Sequence, residues 1–514
     1  MVRPTPVINL CRRGLVSLEK WLEARPVHAL PVMLFAGLMV YALATPQSSI
    51  LDPDSGWLMR TGELILQNGS LPAKDVFSFT QGDRPWILYQ WLFEVYLGLL
   101  HRLAGLGGVV WGAALMIALT YALLLGFLIR VGLTRLVSVA LVILTMMVTQ
   151  FYWYARPNTF TLLAFMVLLL RLEGYRRSPR GCLWDLPLLF LLWANIHLGF
   201  LLGLGVVLLY GLWAWLAPGA FRGAVGRDSR LLLIFPLCLG ATFINPYGFS
   251  LITYFWHLSQ APTMNSSIIE LRSPDFHFYP LYFFLVQLIL LLWLGGGAYP
   301  GRSVVLTLVT ITLVMALYAG RNIPFFAFVA TVHLGYSLQS RWPAPPPVPA
   351  RPGREAVWTA AVGVITLIVV TAVGFWRPGF YNFDPRFTPQ GVAAYLSRQE
   401  PGPQPLKVFV HDGQWASYLI YRLYPRIRVF IDSRFDMYGD EFYARFLAFQ
   451  RVVSFNPDIL NPWVVDVLVL QKARLSAAPK LGPGWVKVYE DGQALIYQHH
   501  RKAAGPADPY NPYR

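Results

Sequence analysis

A chain of 514 residues that is 56% hydrophobic and only 13% charged cannot cover a soluble surface of that size. Its mean hydropathy of +0.48 and its repeated apolar runs, with about 20 residues needed per bilayer crossing, point to an α-helical polytopic membrane protein. The net charge of +16 does not mark a nucleic-acid binder. The arginines lie mainly in short loops between apolar runs, where they serve cytoplasmic retention and anionic headgroups.

In chain order, residues 1–26 carry Arg3, Arg12, Arg13, Lys20 and Arg25 and are expected in the cytoplasm. A first span follows at Leu30–Ala44. It reads as a signal anchor, because more apolar runs follow and no small-residue cleavage pattern closes it. Residues 45–85 form a long polar loop. Within it Asp54-Ser55 reads as a helix N-cap, Trp57, Leu58, Leu64 and Ile65 as an apolar stripe, and Asn68-Gly69 as a C-cap. By itself Asp52-Pro53-Asp54 is a turn that caps this helix. Trp86 and Trp91 suit headgroup depth.

The segment Trp86–Leu103 is apolar enough to span, but a full crossing there would invert everything downstream. It also carries Gln90, Glu94, His101 and Arg102. It reads as a re-entrant or interfacial amphipathic helix. Beyond it, Arg130 with Arg135 marks a cytoplasmic loop, as do Arg171 to Arg180 and Arg222 to Arg230. The linker Arg341–Arg354 is cytoplasmic by the same rule, and Val357–Phe375 delivers the rest of the chain to the outside. The total is about eleven spans. The pair of runs at Leu186–Leu216, interrupted at Asn195-Ile196-His197, is two spans or one broken helix.

This threading collects polar residues at one membrane face. Asp52 and Asp54 follow the first span, and Asp75 lies further along the loop. Arg156 sits in Ala155-Arg156-Pro157, while Asn195 and His197 end another helix. Asn245-Pro246-Tyr247-Gly248 forms a third end. Glu270 with Arg272 precedes Pro280, and Arg321 with Asn322 precedes a further span. Ionisable groups near membrane depth usually face a cavity or each other. Taken singly, each arginine suits a snorkelling anchor, the Asn-Pro-Tyr-Gly stretch a turn, and His197 a packing role.

After Arg377 the composition turns polar. Strands are expected at Lys407–His411, Arg428–Asp432, Val465–Leu470, Trp485–Tyr489 and Ala494–Tyr497, with helices at Gly413–Tyr424 and Glu441–Val453. Residues 377–502 therefore read as an extracytoplasmic α/β domain, and residues 503–514 as a Pro-rich, disordered tail. Cys11, Cys182 and Cys238 all precede it, so it has no internal disulfide. No P-loop or Gly-x-Gly-x-x-Gly stands in it. Asp432-Ser433-Arg434-Phe435-Asp436 follows a strand end, where α/β folds place ligands; it reads first as a salt-bridged loop.

The order of motifs resembles the GT-C superfamily of membrane glycosyltransferases. The resemblance rests on an acidic residue after the first span (Asp52 or Asp54), a helix Gly62 to Gly69 ending in Asn-Gly, Pro72 with Asp75, and Gly82 to Trp86. Ala155-Arg156-Pro157, Trp193-Ala194-Asn195-x-His197, Asn245-Pro246-Tyr247-Gly248 and Arg321-Asn322-x-Pro324-Phe325-Phe326 continue it, as in a bacterial branch of that fold. The resemblance implies a GT-C-like membrane domain over residues 27–376, in a multi-pass protein of the bacterial inner membrane. It implies transfer of a sugar from a polyprenyl-phosphate-linked donor to a glycan, lipid or protein acceptor of the envelope. A first-loop carboxylate is then the general base, and some relatives bind a divalent metal while others do not. Asp52 or Asp54 is the expected base. Arg321 is the expected phosphate partner, with Arg156 and Arg272 as further candidates. Asp75, Asn322, Glu270 and His197 complete the substrate-binding set, the last two also as possible metal ligands.

Two other functions compete. A transporter or flippase of a lipid-linked glycan predicts internal repeats and polar groups at the midplane, and the chain has no obvious repeat. A non-catalytic envelope-assembly scaffold on the same fold is the third reading.

Overall fold

The computed structural model describes residues 29–44, 51–179, 182–221, 227–339, 341–344, single positions between 361 and 372, 381–400, 402–453, 460, 463–475, 479, 481–482 and 484–499. The expected cytoplasmic segment 1–26, most of the linker and the final span, and the tail lie outside the described residues.

The protein is mostly helical with a small C-terminal sheet. Its helices are α1 (Ala29–Ala44), α2 (Pro53–Asn68), α3 (Trp91–Val131), α4 (Arg135–Thr149), α5 (Pro157–Arg177), α6 (Asp185–Ala194) and α7 (Phe200–Leu216). Then come α8 (Arg230–Thr242), α9 (Ser250–Ser259), α10 (Pro262–Ser267), α11 (Tyr282–Leu294), α12 (Arg302–Tyr318) and α13 (Ile323–Gln339). Among the described residues, Trp91–Val131, Arg135–Tyr152 and Pro157–Arg177 are long and apolar enough to cross a membrane; other apolar helices run 10–17 residues. At 1.5 Å per residue these shorter helices reach only about 15–26 Å, so length alone does not make them crossings. The run Leu186–Leu216 is broken into α6 and α7 at residues 195–199.

The chain divides into two compact units. The first comprises residues 1–46, 107–248 and 268–380. Its packing is centred on α13, buried over most of its length against α4 and α12. Near the end of α5 a polar knot replaces apolar packing. Glu173 and Arg176, one turn apart and both buried, pair at 2.7 Å. Tyr210 and Tyr336 each donate a hydroxyl to Glu173 at 2.6 Å, and Arg176 lies over the Tyr336 ring at 5.1 Å. Arg176, expected at a loop, is therefore buried at the end of α5, where Glu173 and the Pro300 carbonyl accept from it.

The second unit comprises residues 47–106, 249–267 and 381–514. Its sheet has strand order β2-β1-β3-β5-β4, with β1 Leu406–Val410, β2 Ile427–Val429, β3 Val467–Gln471, β4 Trp485–Glu490 and β5 Ala494–His499. β1 runs parallel to β2 and β3, and the last hairpin adds antiparallel to β3. Val408–Val410 of β1 and Val467–Leu470 of β3 are apolar and buried, as parallel strands covered on both faces must be. The helices of this region are α14 (Gln390–Ser397), α15 (Gly413–Leu423), α16 (Phe435–Tyr438) and α17 (Asp440–Val453). Asp412 caps α15 by accepting from the Gln414 and Trp415 amides.

The first-loop helix α2 packs on α15. Gly56 is where they touch: a Cβ there would lie 3.0 Å from the Ser417 carbonyl oxygen. The loop after α2 joins the sheet margin, where the Val429 amide donates to the Phe77 carbonyl and the Phe79 amide to the Val429 carbonyl. α3 is bent at Ala104 and Gly105, and the Gly105 φ of 59° with ψ of −150° is glycine geometry. The part before the bend belongs to the second unit and crosses α2 at Gly62 and Gly98. Residues 86–90, expected as helix, are extended and turn instead, and α3 starts at Trp91.

Candidate functional site

The nine residues singled out in the sequence fall into two sets, one per unit. Asp52, Asp54 and Asp75 lie in the second unit, and Arg156, His197, Glu270, Arg272, Arg321 and Asn322 in the first.

In the second unit each first-loop aspartate has a distinct duty. Asp52 is buried and is the N-cap of α2, accepting from the Ser55 amide at 3.2 Å and its hydroxyl at 2.8 Å. The cap falls on Asp52 rather than Asp54 because Pro53 occupies the first helical position, where its missing N–H is not needed. Asp54, in the first turn and half-buried, accepts a hydrogen bond from the Ser433 hydroxyl. Asp75 is buried and accepts from the Phe77 and Ser78 amides, each at 3.0 Å. Its carboxylate pairs with Arg434 at 2.8 Å.

Arg434 is the centre of this assembly, and it is 2% exposed. Its Nε donates to Asp432 at 2.8 Å and its Nη2 to Asp432 and Asp75 at 2.6 and 2.8 Å. Aromatic faces surround the guanidinium, with its carbon 4.3 Å from the Trp86 ring centre, 5.0 Å from Phe77 and 5.8 Å from Trp57. Tyr438 donates its hydroxyl to Asp432 at 2.8 Å. Asp432-Ser433-Arg434 is thus the salt-bridged loop expected from sequence, and its partners extend to the first loop.

Electrostatics follow from this burial. Loss of water pushes the Asp75 carboxyl up, but the Arg434 charge and the hydrogen bonds from Ser78, Phe77 and Arg434 outweigh it and hold it below the usual carboxylate range. Burial raises Asp436 and prevails, despite the Tyr254 hydroxyl donating to it at 2.6 Å. A second polar relay joins Glu63 to Arg60 at 2.8 Å and to His101 at 2.5 Å, with Tyr421 3.1 Å from the other His101 nitrogen.

In the first unit the structure brings part of the second set together. The Gly320 amide donates to the Arg272 carbonyl at 2.8 Å, and Tyr152 donates its hydroxyl to the Gly320 carbonyl. The segments holding Glu270, Arg272, Arg321 and Asn322 are therefore tied side by side. Glu270, Arg272 and Arg321 are exposed on them, while Asn322 donates its amide to the Met315 carbonyl at 3.0 Å and so closes the end of α12. His197 is 2.9 Å from the Thr161 hydroxyl and lies within electrostatic reach of Arg321. Asn195 bridges to the Ile244 carbonyl at 2.9 Å, joining the turn after α6 to the Asn245-Pro246-Tyr247-Gly248 turn. Arg156 is the N-cap position of α5, without a side-chain cap bond, over the Tyr154 ring at 5.5 Å. Among the described residues no group of three or more His, Cys, Asp or Glu is placed to hold a metal ion.

Sequence reasoning did not link Arg434 to the first loop, nor single out Glu94 or Tyr254 as polar groups of this cluster. The available signal was a charged triplet at a strand end together with an Asp three residues after Pro72; nothing in the spacing joins positions 359 residues apart.

No family model matches the chain, and no curated protein does. Its course is similar to that of ArnT from Cupriavidus metallidurans bound to undecaprenyl phosphate, with 14% identity, TM-score 0.48, and 93% of this chain and 99% of that one covered. It is also similar to the Archaeoglobus fulgidus oligosaccharyltransferase tethered to an acceptor peptide, with 12% identity, TM-score 0.49, and 86% and 69% covered. A second structure of that archaeal enzyme, AglB with an inhibitory peptide and a dolichol-phosphate, gives 10% identity, TM-score 0.44 and the same coverages.

Proposed function

We propose that this protein is a GT-C-type membrane glycosyltransferase that moves a sugar from a polyprenyl-phosphate-linked donor to an envelope acceptor on the extracytoplasmic side. The GT-C-like domain is residues 27–376 and the extracytoplasmic α/β domain residues 377–502. The observation that carries the reading is the state of the first-loop carboxylates. Asp52 caps α2 and Asp75 pairs with Arg434, and Asp54 is half-buried in the first turn of α2 and accepts from the Ser433 hydroxyl. Asp54 is the proposed general base that takes the acceptor proton.

The leaving group is a lipid phosphate, and its departure needs fixed positive charge. Arg321 and Arg272, exposed on neighbouring segments of the first unit, are the proposed partners, with Arg156 as a third. Glu270, His197 and Asn322 orient the substrate.

The test is transfer from radiolabelled polyprenyl-phosphate sugars by the purified protein in nanodiscs. Asp54→Asn is expected to lower turnover about 10²- to 10⁴-fold, while Asp52→Asn retains turnover within about tenfold in whatever fraction stays folded. Equal activity of wild type and Asp54→Asn refutes the base assignment. Absence of transfer by wild type from every donor, with lipid-linked glycan crossing the bilayer instead, would mark a flippase.

A further inference from the structure

Three side chains around Arg434 carry buried polar atoms with no hydrogen-bond partner. They are Trp57 Nε1, Arg434 Nη1, and both carboxyl oxygens of Glu94. Trp57 comes from α2, Arg434 from the loop after β2, and Glu94 from the part of α3 before its bend, all within the second unit. The Arg434 guanidinium carbon is 5.8 Å from the Trp57 ring centre, and Glu94 lies within electrostatic reach of Arg434 and Asp436. Gln90, one turn before Glu94, is close but outside hydrogen-bond geometry.

Buried polar groups in folded proteins are nearly always satisfied, and each exception calls for an explanation. Leaving one unsatisfied costs about 1–3 kcal/mol. Here two donors and a two-oxygen acceptor are unmatched together, on three separate elements. That pattern is complementary to a hydroxyl, which accepts from N–H and donates to a carboxyl.

Charge narrows the occupant. Arg434 is already flanked by Asp75 and Asp432, two carboxylates to one guanidinium. An anionic ligand would therefore meet a buried guanidinium whose charge is already outweighed. An uncharged polyol meets no such penalty. Tyr438 borders both this cluster, through Asp432, and a hollow of ≈ 330 Å³ lined also by Gln81, Arg84 and Asp440.

We infer that Glu94, Trp57 and Arg434 form a subsite for the hydroxyls of an uncharged glycosyl unit. The subsite rests on the geometry; the choice of a glycosyl unit as its occupant rests on the transferase reading above.

The probes are methyl hexosides and the corresponding methyl glucuronides, titrated against the full-length protein in nanodiscs by saturation-transfer NMR. Wild type is expected to bind at least one methyl hexoside saturably, and its glucuronide at least tenfold more weakly. Trp57→Phe, which removes only the N–H donor and keeps the ring, and Glu94→Leu each weaken hexoside binding at least tenfold. Melting temperatures identify any variant that fails to fold, and Trp57→Phe carries the test if Glu94→Leu does. Binding of no hexoside (ordered water alone filling the site), equal binding of the glucuronide, or unchanged affinity in Trp57→Phe overturns the inference. This readout needs no turnover. Failure of transfer with the binding pattern intact removes the transferase reading and leaves the subsite, and the converse removes only the subsite.

Discussion

The buried residues of the second unit obey a charge logic that makes single substitutions severe. Arg434 is sealed between Asp75, Asp432 and aromatic rings. Removing one member of a buried ion cluster strands the others and costs about 3–5 kcal/mol. Arg434→Ala is therefore expected to abolish or strongly lower the thermal transition of this unit in detergent, and Arg434→Lys to rescue little, because an ammonium cannot make the forked contact to two carboxylates. A melting temperature unchanged in Arg434→Ala would refute the assignment. The same cluster sets a pH limit. Asp75 titrates below its ordinary value of 3.8 in the folded protein, so the unfolded state binds its proton first as pH falls. Stability from this pair is full above about pH 4 and is lost as pH drops through the lower folded value. Melting curves between pH 6 and pH 3 should steepen downward for wild type and flatten for Asp75→Asn.

These residues also mark the limit of reading from sequence at this scale. Asp52, Asp54 and Asp75 stood out because carboxylates after a first apolar run are conspicuous. Their separate duties did not, since capping, hydroxyl contact and ion pairing depend on which side chain the fold brings against each. Asp52 rather than Asp54 takes the cap because of one local feature, Pro53, which the sequence displays openly. Arg434 as the partner of Asp75 has no local signature at all.

At the scale of elements, the crossing of α2 with the start of α3 depends on two glycines. A Cβ on Gly62 would lie 1.8 Å from the Glu94 carbonyl oxygen, and one on Gly98 would lie 2.6 Å from the Gly62 carbonyl carbon. No rotamer relieves a clash with backbone, so the helices must part. Gly62→Ala is expected to destabilise by at least the about 1–3 kcal/mol typical of overpacking, despite its better helix propensity. Differential scanning fluorimetry that shows a stabilised Gly62→Ala would contradict the packing. Most expected helices and strands of the C-terminal region fall within a residue or two of those observed, because alternating and helical apolar periods are local properties; β2 ends three residues earlier than expected, and α14 and α16 were not foreseen. The N-terminal end of α3 was less so. Trp86 and Ile87 look like the start of a helix by hydropathy, yet Trp86 instead packs on the Arg434 cluster, a tertiary demand that overrides the local preference.

At the scale of the whole molecule, the proposed arrangement makes a topological prediction. Once Cys11, Cys182 and Cys238 are replaced, a cysteine introduced at Glu400 is expected to react with an impermeant maleimide in intact spheroplasts, and one at Arg180 only after lysis. Equal labelling of both before lysis would end the extracytoplasmic assignment. A composition of 56% hydrophobic residues with few charges determined by itself that most of the chain is apolar helix, because apolar area and residue period are counted along the chain. Likewise the polar C-terminal stretch announced a sheet with helices. What only the tertiary structure decided is which parts form one compact unit: the first loop, residues 249–267 and the C-terminal region group together although they are far apart in sequence. Long-range partners such as Asp75 and Arg434 are chosen by burial and charge balance in three dimensions, and no local pattern of residues encodes that choice.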